Sequence, residues 1–185
     1  YVIFAFLVVL SIPLIAVIIL THTGINIISD ALVNVNIEIR TIEILNPADG
    51  SVVNELQKPI AWPVTGVITL RFGESSLYQL FHTGLDIANA NGYVGDPITP
   101  FMDGKVIYAG ETFLGYGKHI IIDHGDNITS VYAHLDRIYT YEGDEVYIGD
   151  TIGRMGETGW ATGPHLHFEV RVYGIPVNPI VFLGG

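Results

Sequence analysis

The sequence predicts an all-β domain of antiparallel strands, preceded by one apolar N-terminal helix. From residue 61 onward, short β-rich runs alternate with Gly, Asp, Asn and Pro at close intervals, as strands joined by tight turns require. No window in this part has a sustained helical period, and the 21 glycines of the chain suit many turns. The first twenty residues differ from the rest because they carry no charged side chain.

The apolar helix is predicted over Tyr1–Leu20. Its sequence, YVIFAFLVVLSIPLIAVIIL, is interrupted only by Ser11 and Pro13 and is long enough to cross a bilayer. A cleavable signal peptide is the alternative, but its apolar region would be shorter and would be followed by small residues at a cleavage site. The following segment, THTGINIISD, has no such pattern. We therefore expect a single-pass transmembrane anchor.

A connector or small stalk is expected over residues 21–60. The segment INIISDALVNVNIEIRTIEIL alternates enough to form a strand or two, and NPADGSVVNELQKP then introduces turn formers. This pattern leaves both an extended and a helical form of the connector open. The β domain is assigned to residues 61–185.

Five runs in the β domain are typical of strands and their turns. They are GVITLRF, PITPFMDGKVIYAG, KHIIIDHGDNITSVYAHL, DEVYIGDTIGRMG and HLHFEVRVYGIPVNP. The clearest hairpin is IIIDHGDNITSVYAHL, in which Gly125, Asp126 and Asn127 supply the turn.

Composition excludes several classes of partner and site. The formal net charge is −11, and only eight Lys and Arg residues are scattered along the chain. Nucleic acids and anionic lipid surfaces are captured by clustered Lys and Arg, so we expect neither as a charge-driven partner. The chain has no cysteine, so it forms no disulfide, and any metal must be held by nitrogen and oxygen ligands.

The segment GPHLHFEV places two histidines on one side of a predicted strand. Because successive side chains of a strand point to opposite faces, His165 and His167 project together, while Leu166 and Phe168 face a core. Glu169 falls on the same face as the histidines. Orientation of a metal ligand and a purely structural role both stay open for this carboxylate.

Two further histidines and one aspartate complete a candidate site. FHTGLDIA contains His82 and Asp86, and SVYAHL contains His134 at the end of a strand. A catalytic zinc site needs three protein ligands and one open position, which His82, Asp86 and one of His165 or His167 would supply. The two remaining histidines would then be available for proton transfer and oxyanion stabilisation.

The other three histidines are interpreted as structural. His22 would be a group at the membrane interface, His119 a strand residue, and His124 a turn residue beside Asp123.

The order of the motifs points to a known family. The segments WPVTGVITLRFGE, FHTGLDIA, GYGKHIIIDHG, VYAHL, EGDEVYIGDTIGRMGETGWATGPHLHFEV and GIPVNP follow one another without a large gap. In this order they resemble the lysostaphin-like, LytM-type zinc metalloendopeptidases, which cut peptide cross-links in bacterial peptidoglycan. The resemblance covers about residues 61–183 and leaves out the first sixty residues. It implies an all-β, barrel-sandwich-like peptidase domain.

The resemblance also implies roles for individual residues. The H-x-x-x-D motif of the family matches His82 and Asp86, and the second histidine of its H-x-H motif matches His167; these three would bind one Zn²⁺ ion. The remaining active-site histidines match His134 and His165. The implied reaction is hydrolysis of peptidoglycan peptides by metal-activated water, in which one of these two histidines stabilises the oxyanion and the other handles the proton. The substrate would place the domain on the extracytoplasmic side of the cytoplasmic membrane.

Two other functions are compatible with parts of this pattern. The first is a catalytically inactive relative that acts as a scaffold or activator of another cell-wall hydrolase. Such proteins typically lack one or more ligands, whereas all five expected residues are present in this chain. The second is a biotinyl or lipoyl carrier domain, which DGKVIYAG and EGDEVYIGDTIG also resemble. A carrier needs a lysine at a hairpin tip, and Lys58, Lys105 and Lys118 do not lie in such a context, so that similarity concerns the fold alone.

Overall fold

The computed structural model of the chain describes residues 23–36, 41–56, 59–76 and 79–184. The predicted transmembrane anchor, Tyr1–Leu20, lies outside these residues. Among the helices within them, none has both the length and the apolar character needed to span a membrane.

The predicted connector contains both helix and sheet. Residues 23–32 form helix α1. Three strands follow, β1 (Val33–Asn36), β2 (Thr41–Leu45) and β3 (Val52–Leu56), and they form an antiparallel sheet in the order β1-β2-β3. The alternation of apolar and polar residues in this segment therefore corresponds to strands, as one of the two open forms predicted, while the turn formers of NPADG separate β2 from β3.

The connector packs against the β domain. The backbone N–H of Asn178, close to the C-terminus, donates a hydrogen bond of 3.1 Å to Ser29 Oγ on α1. The same hydrophobic cluster that fills the β domain also contains buried side chains of the connector, namely Leu32, Val33, Ile44 and Leu56.

Antiparallel sheet dominates the β domain, as predicted. In chain order, its strands are β4 (Val67–Leu70), β5 (Leu85–Ala88), β6 (Pro97–Ile98), β7 (Gly104–Glu111), β8 (Lys118–Asp123), β9 (Ile128–Ala133), β10 (Leu135–Ile138), β11 (Glu145–Val146), β12 (Gly153–Met155), β13 (Leu166–Val172) and β14 (Ile175–Val177). Eight of them form the main sheet, in the order β11-β7-β8-β9-β13-β5-β4 with β14 paired to β13. A second sheet has the order β10-β12-β6. A four-residue helix, α2 (Ile180–Leu183), ends the described part.

The core unites the two sheets of the β domain. Ile98 on β6 and Met155 on β12 are fully buried in the same cluster as Ile120 on β8 and Phe168 on β13. Burial of these branched and aromatic side chains drives the packing of one sheet on the other. The opposite face of β13 is thereby left for polar residues.

The predicted β8–β9 hairpin is confirmed. Gly125, Asp126 and Asn127 have φ angles of 77°, 54° and 62°, which is the left-handed conformation that Gly, Asp and Asn adopt most readily. Asp123 pairs with Thr129 at the closed end of the ladder. The turn therefore fixes the register of β8 and β9, next to β13 in the main sheet.

Candidate metal centre

Strand pairing brings together three of the candidate residues, which lie far apart in sequence. His82 lies shortly before β5, Asp86 lies on β5, and His167 lies on β13. In the antiparallel pair β5–β13, Asp86 is the direct partner of His167. Directly opposed residues of neighbouring strands project from the same face of a sheet, so the Asp86 carboxylate and the His167 imidazole must meet.

The three side chains converge on one point. His82 Nε2 lies 2.9 Å from Asp86 Oδ1 and 2.9 Å from His167 Nδ1, and His167 Nδ1 lies 2.8 Å from Asp86 Oδ1. The three residues thus form a group that could hold a metal ion. They are the same three residues that the resemblance implied as ligands.

Hydrogen bonds on the outer ring nitrogens determine what the inner nitrogens present. His82 Nδ1 donates to the carbonyl oxygen of Arg71 at 3.2 Å, and His167 Nε2 donates to Glu169 Oε1 at 3.0 Å. In their neutral forms both rings therefore direct a lone pair inward, towards the Asp86 carboxylate. Three acceptor atoms without a donor among them fit a divalent cation with nitrogen and oxygen ligands, and Zn²⁺ is such a cation.

Without a metal, a proton on His167 balances the charge of this group. Burial disfavours the charged ring, yet hydrogen bonds to Asp86 and Glu169, together with the charges of both carboxylates, raise the pKa of His167 to about 9. For Asp86, burial opposes ionisation, but its contacts with His167 and His82 hold the pKa of the carboxyl well below its usual range. A metal ion must therefore displace a proton from His167 on binding.

His134 lies at the junction between β9 and β10, with a φ of 62°. Its Nδ1 donates to the carbonyl oxygen of Thr158 at 2.8 Å, so the neutral ring has its lone pair at Nε2. The ring centroid lies 4.8 Å from that of His165 and 5.8 Å from that of His167. Burial, followed by the charges of His165 and His167, lowers the pKa of His134 to about 4. His134 is therefore neutral at pH 7.

His165 lies just before β13, where it forms an isolated bridge with Gly156. Its Nδ1 donates to the carbonyl oxygen of Gly163 at 2.8 Å. Its Nε2 lies 3.7 Å from Asp86 Oδ2, which is farther than the 2.8 Å that separates His167 from the same carboxylate. The structure thus places all five candidate residues in one region, with three in mutual contact and the other two rings beside them.

Four of the five residues line an open cleft of about 600 Å³. Asp86, His134, His165 and His167 line it, and His82 lies fully buried beneath. Trp160 also lines the cleft while 61% of its surface is exposed. A ligand in this cleft would contact both the carboxylate and the imidazoles.

A polar network behind His167 was only partly predicted. Glu169 is fully buried and accepts hydrogen bonds from Thr83, Tyr116 and Arg171, in addition to the one from His167. The alternation of β13 signalled that Glu169 shares a face with His167, and the same alternation extends to Arg171. Tyr116 and Thr83 come from other parts of the chain, and no pattern in the sequence marks them.

Of the remaining histidines, His119 packs on Tyr116 of this network, with ring centroids 5.3 Å apart, but is not among the candidate ligands. His119 is buried, stacks on Tyr108 with centroids 4.5 Å apart, and bonds to the Gly117 carbonyl oxygen. His124 is also buried, and its Nε2 lies 2.7 Å from Ser130 Oγ. His22 lies outside the described residues.

Comparison with family models agrees with this geometry. The model of Peptidase family M23 matches residues 80–179, a segment that includes all five candidate residues. The chain belongs to this family. Its membership confirms the family resemblance that the order of the motifs indicated.

M23 relatives include proteins named as activators and as peptidases. The lipoprotein NlpD/LppB homolog of Pseudomonas aeruginosa is 38% identical over 123 residues, which cover 66% of this chain and 39% of that protein. Murein hydrolase activator NlpD of Escherichia coli is 42% identical over 122 residues, 66% of this chain and 30% of the relative. DD-carboxypeptidase/endopeptidase Mpg of Neisseria meningitidis is 41% identical over 99 residues, which cover 54% of this chain and 22% of that protein. This chain thus spans 39% or less of the length of these curated relatives.

Solved structures of peptidases share the fold. The catalytic domain of the prophage-encoded M23 protein EnpA from Enterococcus faecalis, in a mutant form, aligns with a TM-score of 0.57 and 37% identity over 64% of this chain and 92% of that chain. A zinc-containing peptidase from Vibrio cholerae aligns with a TM-score of 0.61 and 32% identity, over 75% of this chain and 45% of that chain. The β domain therefore has the M23 peptidase fold.

Proposed function

We propose that this M23 domain is a zinc-dependent endopeptidase that hydrolyses peptide cross-links of bacterial peptidoglycan. One observation carries the proposal: three acceptor atoms of His82, Asp86 and His167 lie 2.8 to 2.9 Å apart at a cleft that also presents two imidazoles. Membership of a peptidase family supports it, as does the likeness to Mpg and to the zinc-containing Vibrio peptidase.

The ligands of the proposed Zn²⁺ ion are His82, Asp86 and His167. When bound, zinc supplies a Lewis acid and lowers the pKa of a coordinated water towards ~7. His82 and His167 are oriented for this role by the hydrogen bonds on their outer nitrogens, to Arg71 and Glu169. No thiolate is needed, in agreement with a chain that lacks cysteine.

His134 and His165 are the proposed catalytic residues. In each ring, Nδ1 is fixed on a backbone carbonyl oxygen, and both residues line the cleft. The free Nε2 of each neutral imidazole can then accept a proton from the attacking water, and once protonated it can donate to the oxyanion of the substrate or to the leaving amine. His134 is neutral at pH 7, because burial, followed by the charges of His165 and His167, lowers its pKa to about 4.

Variants of two of these histidines test the proposal. Purified protein carrying His134→Ala should keep its zinc but lose most of its ability to release peptides from peptidoglycan. His167→Ala should lose both zinc and turnover. His124→Gln is the matched control, since this buried histidine bonds to the Asp103 carbonyl oxygen and Ser130 Oγ and packs on Phe101, and it should leave both unchanged. Full rate and zinc content in His134→Ala and in His167→Ala would refute the assignment.

A second function, activation of a separate cell-wall hydrolase, is favoured by one observation. Escherichia coli NlpD, at 42% identity, is named a murein hydrolase activator. The five histidine and aspartate side chains of the candidate site favour the enzyme instead. Turnover of purified muropeptides by the chain alone, dependent on added zinc, separates the two; release of peptides only after a second hydrolase is added would favour activation.

The proposed domain organisation follows the sequence prediction. Residues 1–20 would anchor the chain in the cytoplasmic membrane, residues 21–60 would connect, and residues 61–185 would form the peptidase domain on the extracytoplasmic side. The relative from Pseudomonas aeruginosa is named a lipoprotein, which supports a location in the cell envelope. Held at the membrane, the domain would meet the wall at high local concentration without a basic binding surface.

A further inference from the structure

We propose that Glu169 and Arg171 form a positioning pair that fixes the tautomer of His167 and so keeps its Nδ1 lone pair available to a metal ion. This inference deepens the proposed function and rests on it, because it takes His82, Asp86 and His167 as the zinc ligands. It assigns a function to the ion pair between the buried Glu169 and the partly buried Arg171, neither of which lines the cleft.

The carboxylate of Glu169 receives donors on both oxygens. Oε1 accepts from Thr83 Oγ1 at 2.5 Å, from Tyr116 Oη at 2.8 Å and from His167 Nε2 at 3.0 Å. Oε2 accepts from Arg171, at 2.8 Å from Nε and 2.6 Å from Nη2. The side chain of Glu169 is completely buried, so these contacts replace all of its hydration.

Arg171 determines the direction of the hydrogen bonds in this network. A guanidinium group can only donate hydrogen bonds, whereas a hydroxyl or an imidazole nitrogen can either donate or accept. Arg171 also donates to Tyr116 Oη at 2.8 Å, which leaves the proton of that hydroxyl for Glu169. Both the carboxylate and the phenol are therefore held in one hydrogen-bonding arrangement by the same arginine.

The consequence for His167 follows from the donor and acceptor pattern. Both oxygens of an ionised carboxylate accept, so His167 must donate to Glu169 from Nε2. The lone pair of the neutral ring is then at Nδ1, 2.9 Å from His82 Nε2 and 2.8 Å from Asp86 Oδ1. Carboxylates behind ligating histidines are known to fix ring orientation and to raise ligand basicity.

An amide at position 169 should reverse this arrangement. The amide oxygen would be required by Arg171, so the amide NH₂ group would face His167. Nε2 of His167 would then have to accept, and the ring proton would move to Nδ1, where it points at the other two ligands. The Glu169→Gln substitution keeps the shape of the side chain but removes the lone pair from the metal site.

Gly84 packs closely against His167 and Glu169. A Cβ atom on Gly84 would collide with the carbonyl oxygen of Phe168 and would lie 3.0 Å from His167 Cε1 and 3.0 Å from Glu169 Cγ. The β5 side thus closes tightly over β13 at this point. The position of the His167 ring is therefore confined on the β5 side, and the hydrogen bond to Glu169 determines which nitrogen carries the proton.

Zinc affinity tests the inference. A chromophoric chelator competes for Zn²⁺ with the wild-type chain, with Glu169→Gln, and with the double variant Glu169→Gln/Arg171→Met. We expect Glu169→Gln to bind zinc about 10- to 100-fold more weakly, as is typical when the partner behind a ligating histidine is lost. The double variant should recover part of this affinity, because without Arg171 the amide oxygen is free to turn towards His167. Ser130→Ala, a buried polar substitution on β9, is the control and should bind zinc like the wild type.

A second readout separates positioning from general destabilisation. In zinc-loaded protein with ¹⁵N-labelled histidine, the ring proton of His167 should reside on Nε2, and in Glu169→Gln that signal should be lost or weakened. Unchanged zinc affinity in Glu169→Gln, or no recovery in the double variant, would overturn the inference. If Glu169→Gln does not fold, Glu169→Asp replaces it. The charge then stays near Arg171, but the shorter side chain cannot also reach His167, so we expect a similar loss of zinc affinity. An unchanged affinity contradicts the inference.

The outcome also distinguishes this inference from the proposed function. Stoichiometric zinc binding by the wild type that is lost in His82→Ala supports the proposed ligands, whatever Glu169→Gln does. If the wild type binds zinc no better than His82→Ala, then the proposed function and the positioning pair both fail.

Discussion

His167 lies directly opposite Asp86 in the antiparallel pair of β5 and β13, and its Nδ1 is 2.8 Å from Asp86 Oδ1. The two residues are 81 positions apart in sequence, yet the register of two strands brings them into contact. A shift of this register by one residue would turn every side chain of β13 to the opposite face. The candidate metal centre is therefore specified by the same pairing that closes the core.

Asp86→Asn should remove metal binding without changing the size of the side chain. The substitution takes away the negative charge that faces both histidines. It also places an amide N–H donor beside the ring nitrogens, whose lone pairs must stay free for the metal. We expect zinc affinity to fall by more than about 100-fold, beyond the loss typical of a partner behind the ligand. Chelator competition measures it. An exposed aspartate, Asp150, provides the control Asp150→Asn; equal affinities in the two variants would contradict the ligand role.

Zinc binding should strengthen with pH up to about 9. Below the raised pKa of His167, a proton occupies the site and must leave when the metal enters. Affinity should therefore rise by about tenfold per pH unit between about 7 and 9 and then level off, with close to one proton released per ion at pH 7. Calorimetry in two buffers of different ionisation enthalpy measures the released proton. An affinity that does not change over this range would contradict the assignment.

The metal-free protein should show the opposite dependence in its stability. The folded-state pKa of His167, about 9, is above its ordinary value of 6.5. Its protonated form therefore stabilises the fold fully below about pH 6.5, and this contribution is lost as pH rises through about 9. Thermal melting of chelator-treated protein should fall over this interval, and His167→Gln should remove most of the slope. A melting temperature that rises from pH 7 to 9 would contradict the expected sign.

Much of the site could be predicted because strand alternation is a local rule. The alternation of GPHLHFEV correctly put His167 and Glu169 on the face opposite Phe168, which is fully buried. The same rule could not decide between His165 and His167 as the neighbour of Asp86. That choice depends on the register of β13 against β5, and His165 precedes the strand altogether.

Other parts were beyond the sequence patterns for physical reasons. Tyr116 and Glu169 are 53 positions apart, and their contact depends on how the loop between β7 and β8 folds beside β13, for which no periodicity gives a sign. Helix α1, residues 23–32, lies in a segment whose apolar alternation favoured strands equally well, and its packing against the β domain resolves this ambiguity.

Trp160→Ala should weaken substrate binding while leaving the metal centre intact. The indole lines the cleft and remains 61% exposed, so it offers a large apolar surface to a ligand. We expect KM for muropeptides to rise by about tenfold, the loss of roughly 1.4 kcal/mol of contact energy, with zinc content unchanged. Trp62→Ala is the matched control, because Trp62 is 41% exposed and is not among the residues that line the cleft. Equal KM values in both variants would argue against a role for Trp160.

Gly117→Ala should reduce turnover through His134 while leaving zinc affinity intact. A Cβ atom at Gly117 would collide with the backbone of Thr158, whose carbonyl oxygen accepts the Nδ1 hydrogen bond of His134. Relief of this collision must move Thr158, and the orientation of the His134 ring depends on that carbonyl. The zinc ligands do not contact Thr158, so the metal should stay bound.

Gly115→Ala separates this collision from backbone strain. Both glycines have left-handed φ angles, 75° at Gly115 and 61° at Gly117, but a Cβ atom at Gly115 meets nothing within 4 Å. Each alanine should therefore cost about 1–2 kcal/mol for its conformation, while only Gly117→Ala adds the displacement of Thr158. Melting temperatures and peptide release measured side by side should show that both variants lose stability and only Gly117→Ala loses turnover. Equal turnover in the two would mean that the Thr158 carbonyl does not hold His134 in its working orientation.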